Sequence, residues 1–146
     1  MIDAERAVFQ RVREEALRLF PGLTVLNARP DVPESIPALI LEEENNASYA
    51  RALAGDGKER FARVTYLLTV IADEASGGKT AAKRIAGAAD GIMCGAGFAR
   101  LSFSPSKDRR RGVASFTGRY GAVIAAPEEE RQDGEEPRLV YRIYRK

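Results

Sequence analysis

Between Asp3 and Phe20 the apolar residues Phe9, Val12, Ala16, Leu19 and Phe20 recur every three or four positions, with Arg6, Arg13, Glu14 and Arg18 largely between them. That period belongs to an amphipathic helix that buries one stripe. Asp3 offers an N-cap, and Pro21-Gly22 stops the helix, proline through its fixed φ and glycine through its tolerance of positive φ. Val25 to Arg29 leads into a link punctuated by Pro30, Pro33 and Pro37, which excludes both a helix interior and a central strand. A short strand is predicted from Ala38 to Glu43. The polar, glycine-containing stretch Glu44 to Glu59 then reads as a long loop, and loops of that length in compact domains tend to be functional or disordered.

Period two is clearest from Arg60 to Ala72, where Ala62, Val64, Tyr66, Leu68, Val70 and Ala72 make one apolar face and Arg63, Thr65 and Thr69 mark the other. After a turn from Asp73 to Gly78, Lys79 to Gly95 returns to helical spacing, with Ala82, Ile85, Ala89, Ile92, Met93 and Ala96 on one side and Gly95 and Gly97 as the stop. Three more strands follow. The first carries Ala99, Leu101 and Phe103, the second Ala114, Phe116, Gly118, Tyr120, Ala122 and Ile124 on one face, and the last runs from Arg138 to Tyr144. Charged loops, Pro105 to Gly112 and Pro127 to Pro137, separate them. The order predicts an α+β fold: a mainly antiparallel sheet of four to five strands with two helices packed on one face.

Composition narrows the picture. The 146 residues make one domain's worth of chain, residues 1–146, and 45% hydrophobic content is enough for a core. The longest apolar run falls short of a membrane span, and the charged start Met1-Ile2-Asp3-Ala4-Glu5-Arg6 is unlike a signal peptide, so a soluble chain made in the cytoplasm is expected. The lone Cys94 excludes an intrachain disulfide, and its Ala/Gly/Ile/Met surroundings predict a buried apolar role. With no histidine there is no imidazole base, no histidine ligand for zinc and no Ser-His-Asp triad.

Ser76-Gly77-Gly78-Lys79-Thr80 looks like the end of a phosphate-binding loop, yet Asp73 stands where the motif needs its first glycine. A carboxylate there replaces the amides that would cradle phosphate, so a turn before a helix is the better reading. Lys107, Arg109, Arg110 and Arg111 could meet phosphates, but Asp108 dilutes them and a net charge of +2 leaves no basic stripe. Glu128, Glu129, Glu130, Asp133, Glu135 and Glu136 lack the spacing of an EF-hand and read as a solvated loop, whose charge complements the basic hairpin and suits head-to-tail contact between copies. Glu42 and Glu43 are strand neighbours and point to opposite faces, so they cannot converge on one atom. No nucleophile, base and orienter stand together. No catalytic, cofactor-binding or metal residue is predicted, no cofactor is expected, and binding or assembly is the expected role.

Four segments in this order carry a resemblance: Pro37-Ala38-Leu39-Ile40-Leu41-Glu42-Glu43, Arg63-Val64-Thr65-Tyr66-Leu67-Leu68-Thr69-Val70, Gly97-Phe98-Ala99-Arg100-Leu101-Ser102 and Phe116-Thr117-Gly118-Arg119-Tyr120-Gly121-Ala122-Val123. Together they resemble the tail-terminator, or tail-completion, proteins of long-tailed bacteriophages across nearly the whole chain. The resemblance implies a structural protein rather than an enzyme. It would form a hexameric ring of its own copies that caps the tail tube protein, ends tube polymerisation and receives the head-tail connector protein. Its place would be the virion tail, after assembly in the host cytoplasm, with passing contact with DNA and none with membrane. It further implies that Asn45, Asn46, Tyr49, Arg51, Arg60 and Arg63 reach a neighbouring subunit or the tube, and that Lys107, Arg109, Arg110 and Arg111 face the ring lumen or a docking partner. The acidic insertion Pro127 to Pro137 departs from that pattern. The alternatives are a related head-tail connector and a small nucleic-acid-binding module using the 107–111 loop.

Overall fold

The computed structural model describes residues 1–28, 36–48, 60–106, 112–130 and 138–145. Among these residues two helices, α1 (Glu5–Leu19) and α2 (Gly78–Gly95), accompany eight strands. The strands are β1 (Thr24–Leu26), β2 (Ala38–Ser48), β3 (Phe61–Asp73), β4 (Ala99–Ser106), β5 (Val113–Ala125), β6 (Glu128–Glu130), β7 (Arg138–Val140) and β8 (Ile143–Arg145). Six form one sheet in the order β1-β2-β3-β5-β4 with β8 also on β5, while β6 and β7 make a separate ribbon. All pairings are antiparallel except β1 with β2. The α+β class and the mainly antiparallel sheet are as the periodicity predicts. Among the described residues no helix is long and apolar enough to cross a membrane.

The unbroken ladder between β3 and β5, from Phe61 opposite Ala125 to Asp73 opposite Val113, sorts the side chains. One face collects Val64, Tyr66, Leu68 and Val70 with Phe116, Tyr120, Ala122 and Ile124, and both helices close over it. From α1 come Val8, Val12 and Ala16, and from α2 Ala82, Ile85, Ala86, Ala89 and Met93. The alanines keep α2 slim enough to lie close to the sheet, and Arg84 of α2 stacks over Phe20 at 5.6 Å. Tyr66 meets Phe98 edge to face, with centroids 5.4 Å apart at 84°. Tyr120 lies over Gly118, where a Cβ would come within 2.8 Å of its ring, and donates a hydrogen bond of 2.7 Å to Asp90 of α2.

Helix α2 ends in two nested bonds: the Gly97 amide to the Cys94 carbonyl and the Phe98 amide to the Met93 carbonyl, both 3.1 Å. This closure needs a left-handed residue, and Gly97 has φ +107°. The motif delivers Phe98 fully buried into the core. At the other end, the turn expected at 73–78 is held by Asp73, whose Oδ1 accepts from the Ser76 amide at 2.8 Å and hydroxyl at 2.7 Å. Gly77 and Gly78 take positive φ, and α2 begins without a side-chain cap. The Gly-Lys-Thr segment is thus the start of a helix after a carboxylate-locked turn.

Several boundaries differ from the sequence reading. Strand β2 runs to Ser48: of the residues expected as loop, Glu44 is the extra residue of a bulge between Glu43 and Asn45, and Asn45 to Ser48 pair with β3. Backbone pairing holds this half, and its side chains are mostly exposed, so no apolar alternation announces it. Strand β1 has only three residues, too few to display a period. The single strand expected over Arg138 to Tyr144 is two, β7 on β6 and β8 on β5, and Glu128–Glu130 is strand rather than loop. A bulge between Arg100 and Ser102 turns Leu101 out of its expected apolar face and leaves it 50% exposed. Asp3 stands one residue before the N-cap position of Ala4, and its Oδ1 accepts from the Glu5 amide. The α1 stripe is carried by Val8 rather than Phe9, and Leu19 is exposed. Cys94 is half-buried, because its neighbour Met93 takes the inward position.

Two outcomes follow from these closures. Gly97→Ala forces a side chain into positive φ and brings its Cβ within 2.8 Å of the Ile143 carbonyl, so it should cost on the order of 1–3 kcal/mol in urea unfolding. The bonds from Ser76 hold the Asp73 carboxyl below its ordinary value. Ser76→Ala should therefore raise the Asp73 pKa towards normal, read by NMR titration. The part of the stability difference due to this carboxylate should be present above the ordinary value of 3.8 and vanish as pH falls through the depressed native value.

Candidate interaction surfaces

The sheet face turned away from the helices is where several expected contact residues gather. By register Asn45, Arg63, Thr65, Thr117 and Arg119 lie on it. Asn45 and Arg63 are exposed, and Arg60 is exposed just before β3. The bulge in β2 places Glu44 on this face as well, where it meets Arg119 of β5 across the intervening β3. Arg119 Nε donates to both carboxylate oxygens at 3.1 and 3.2 Å, and Nη2 adds a bond of 3.2 Å. This hydrogen-bonded carboxylate raises the guanidinium pKa. Exposed pairs add little stability, so the effect of this one is to orient two charges on an open face.

Asn46, expected beside Asn45 at an interface, turns the other way. Its Nδ2 donates to the Ile2 carbonyl at 2.8 Å and to Glu43 Oε1 at 3.0 Å, and so ties the chain start to β2. The bulge is the cause, since the extra residue shifts the phase of everything after Glu43. Tyr49, Arg51, Lys107, Arg109, Arg110 and Arg111 lie outside the described residues.

Beside Asn46 stands a group that the sequence reading did not assemble. Carboxylate oxygens of Asp3, Glu5 and Glu43 all lie within 4.8 Å of one another. Glu43 shares the helix-side face with Leu39 and Leu41 and stands opposite Tyr66. Burial, reinforced by the Glu5 and Asp3 charges, holds its carboxyl above the usual range against the opposing bond from Asn46. Tyr66 is 1% exposed, and its hydroxyl has no hydrogen-bond partner among the described residues. Burial and then the charges of Glu43, Glu5 and Asp3 push the ionisation of that hydroxyl up. One sign was legible in sequence: a glutamate occupies the inward phase of a strand after Leu39 and Leu41. Its partners come from forty residues earlier, and no linear motif joins them.

A third surface is the edge formed by β4 and β8, which follow one another along the same side of β5. It exposes Leu101 at 50% and Tyr144 at 46%, the latter edge-on to Phe61. Leu139 of the neighbouring ribbon is 56% exposed.

No protein-family model matches the chain, and no curated protein does. Among solved structures, the chain is similar to one in the virion of a native gene transfer agent particle, at 22% identity and a TM-score of 0.64. The match covers 84% of this chain and 94% of that one, so the likeness is one of whole fold.

Proposed function

We propose that this chain is a structural component of a phage-like particle, and specifically a tail terminator. Its copies form a hexameric ring that caps the tail tube, ends tube polymerisation and receives the head-tail connector. It works in the virion tail after assembly in the host cytoplasm. The observation that carries this reading is the fold shared almost end to end with a gene transfer agent virion chain. The four-segment resemblance to tail-terminator proteins agrees with it.

The surfaces suit a ring. Among the described residues β4 and β8 pair only with β5, which leaves an edge for a neighbouring subunit, and exposed Leu101 and Tyr144 give that edge apolar area to bury. The polar face carrying Asn45, Arg63 and the Glu44–Arg119 pair is suited to contacts with the tube or the next ring. Tyr49, Arg51 and Arg60 are proposed for the same contacts, and Lys107, Arg109, Arg110 and Arg111 for the lumen or docking side.

Light-scattering mass across protein concentration, with and without isolated tail tubes and combined with electron microscopy, tests the reading. Rings of about six times the 16.0 kDa chain, free or at tube ends, are expected, and they should survive Arg110→Ala. Leu101→Glu should reduce the mass to one chain while circular dichroism stays native, because it places a charge in the edge contact. A monomer that ignores tubes yet binds DNA with an affinity that falls steeply with salt would overturn the proposal.

A further inference from the structure

We propose that Asp3, Glu5 and Glu43, with the buried hydroxyl of Tyr66, the cross-strand partner of Glu43, form a binding site for one hard divalent cation, tested as Ca²⁺. Oxygens on opposite sides of a bound Ca²⁺ are about 4.6–5.2 Å apart, twice the metal–oxygen distance. The three carboxylates already offer oxygens within 4.8 Å of one another, so an ion could be gathered without moving the backbone.

The backbone carrying these groups is held from several sides. Asn46 of β2 grips the Ile2 carbonyl at 2.8 Å, and the Tyr141 hydroxyl donates to the Asp3 carbonyl at 3.0 Å. Glu43 projects from β2 at its pairing with Tyr66 of β3, next to the bulge, while β1 pairs only with Ala38 to Ile40 of that strand. Such restraint lowers the ordering cost of gathering ligands.

Three like charges at this distance need a reason. The start of α1 supplies the equivalent of about half a positive charge, which offsets part of the repulsion among the three carboxylates. Tyr66 adds an independent sign. A hydroxyl that is buried and unpartnered costs stability, and this one belongs to the residue directly opposite Glu43, on the same side of the sheet. Its oxygen can offer a lone pair to an ion or to a water on that ion. Only oxygen donors are present, which selects Ca²⁺ or Mg²⁺ over softer metals. Ca²⁺ takes six to eight ligands, so water must complete the shell, and affinity should lie on the order of 10⁻⁴–10⁻³ M.

The test uses the full chain, first stripped with EDTA, then melted with and without 10 mM CaCl₂ at matched ionic strength. The melting temperature should rise by a few degrees in wild type, and Glu43→Gln should lose most of that rise. Glu43→Gln relieves repulsion, so it should itself fold at least as stably in EDTA. Tb³⁺, excited through nearby tyrosine, should titrate to one ion per chain, with affinity about tenfold weaker in Glu43→Gln. Tyr66→Phe removes an unpartnered hydroxyl, so it should keep its stability in EDTA while binding Tb³⁺ several-fold more weakly. No calcium-dependent rise, or an equal rise in wild type, Glu43→Gln and Asp3→Asn, would overturn the site. Equal Tb³⁺ affinity in Tyr66→Phe would overturn the part given to the hydroxyl.

Discussion

The antiparallel ladder between β3 and β5 is the constraint on which everything else rests. It runs without a register break from Phe61 opposite Ala125 to Asp73 opposite Val113, so the side-chain phase on both strands is locked over its full length. A slip of one residue would send Tyr66, Leu68, Tyr120 and Ile124 into water and leave the helices without a floor. The aromatic groups fasten that floor to the layer above: Tyr66 against Phe98, and Tyr120 through its bond to Asp90 of α2.

The ends of the chain depend on this centre and then constrain each other. The close of α2 at Gly97 leaves no space for a Cβ because the Ile143 carbonyl of β8 is pressed against it. The last strand is therefore seated where helix, β4 and β5 meet, and β8 completes the edge of β5 that β4 leaves uncovered. The first residues are tied to β2 through Asn46, and to the segment between β7 and β8 through Tyr141. The first residues and the segment before β8 thus meet at Asp3, one of the three carboxylate residues.

These arrangements divide the surface by chemistry. The helix side is closed by packing, the opposite sheet face presents charges around Arg63 and Arg119 while burying Ile40, Thr69 and Ile71 further along, and the β4–β8 edge exposes Leu101 and Tyr144. A polar face can steer and register a partner, while an apolar edge supplies contact area. The bulge after Glu43 does much of the sorting: it sends Glu44 outward to Arg119 and Asn46 inward to the chain start.

Alternation over 62–72 and 114–124 and the helical stripe over 82–96 are local properties, so the sequence by itself determined the central strands, both helices, the glycine stop at 97 and the turn in place of a phosphate loop. It also determined that Glu42 and Glu43 face apart, since neighbours in a strand must. What escaped it was pairing that leaves no pattern: the polar half of β2, the three-residue β1, and the division of the last strand between two partners. Bulges at Glu43/Asn45 and Arg100/Ser102 also escaped, because an inserted residue changes phase without changing composition. The carboxylate group needed the tertiary structure most of all. Residues 3, 5 and 43 become neighbours only when β2 is laid beside the start of α1, and that placement is set by the shared core beneath them and by no signal within either segment.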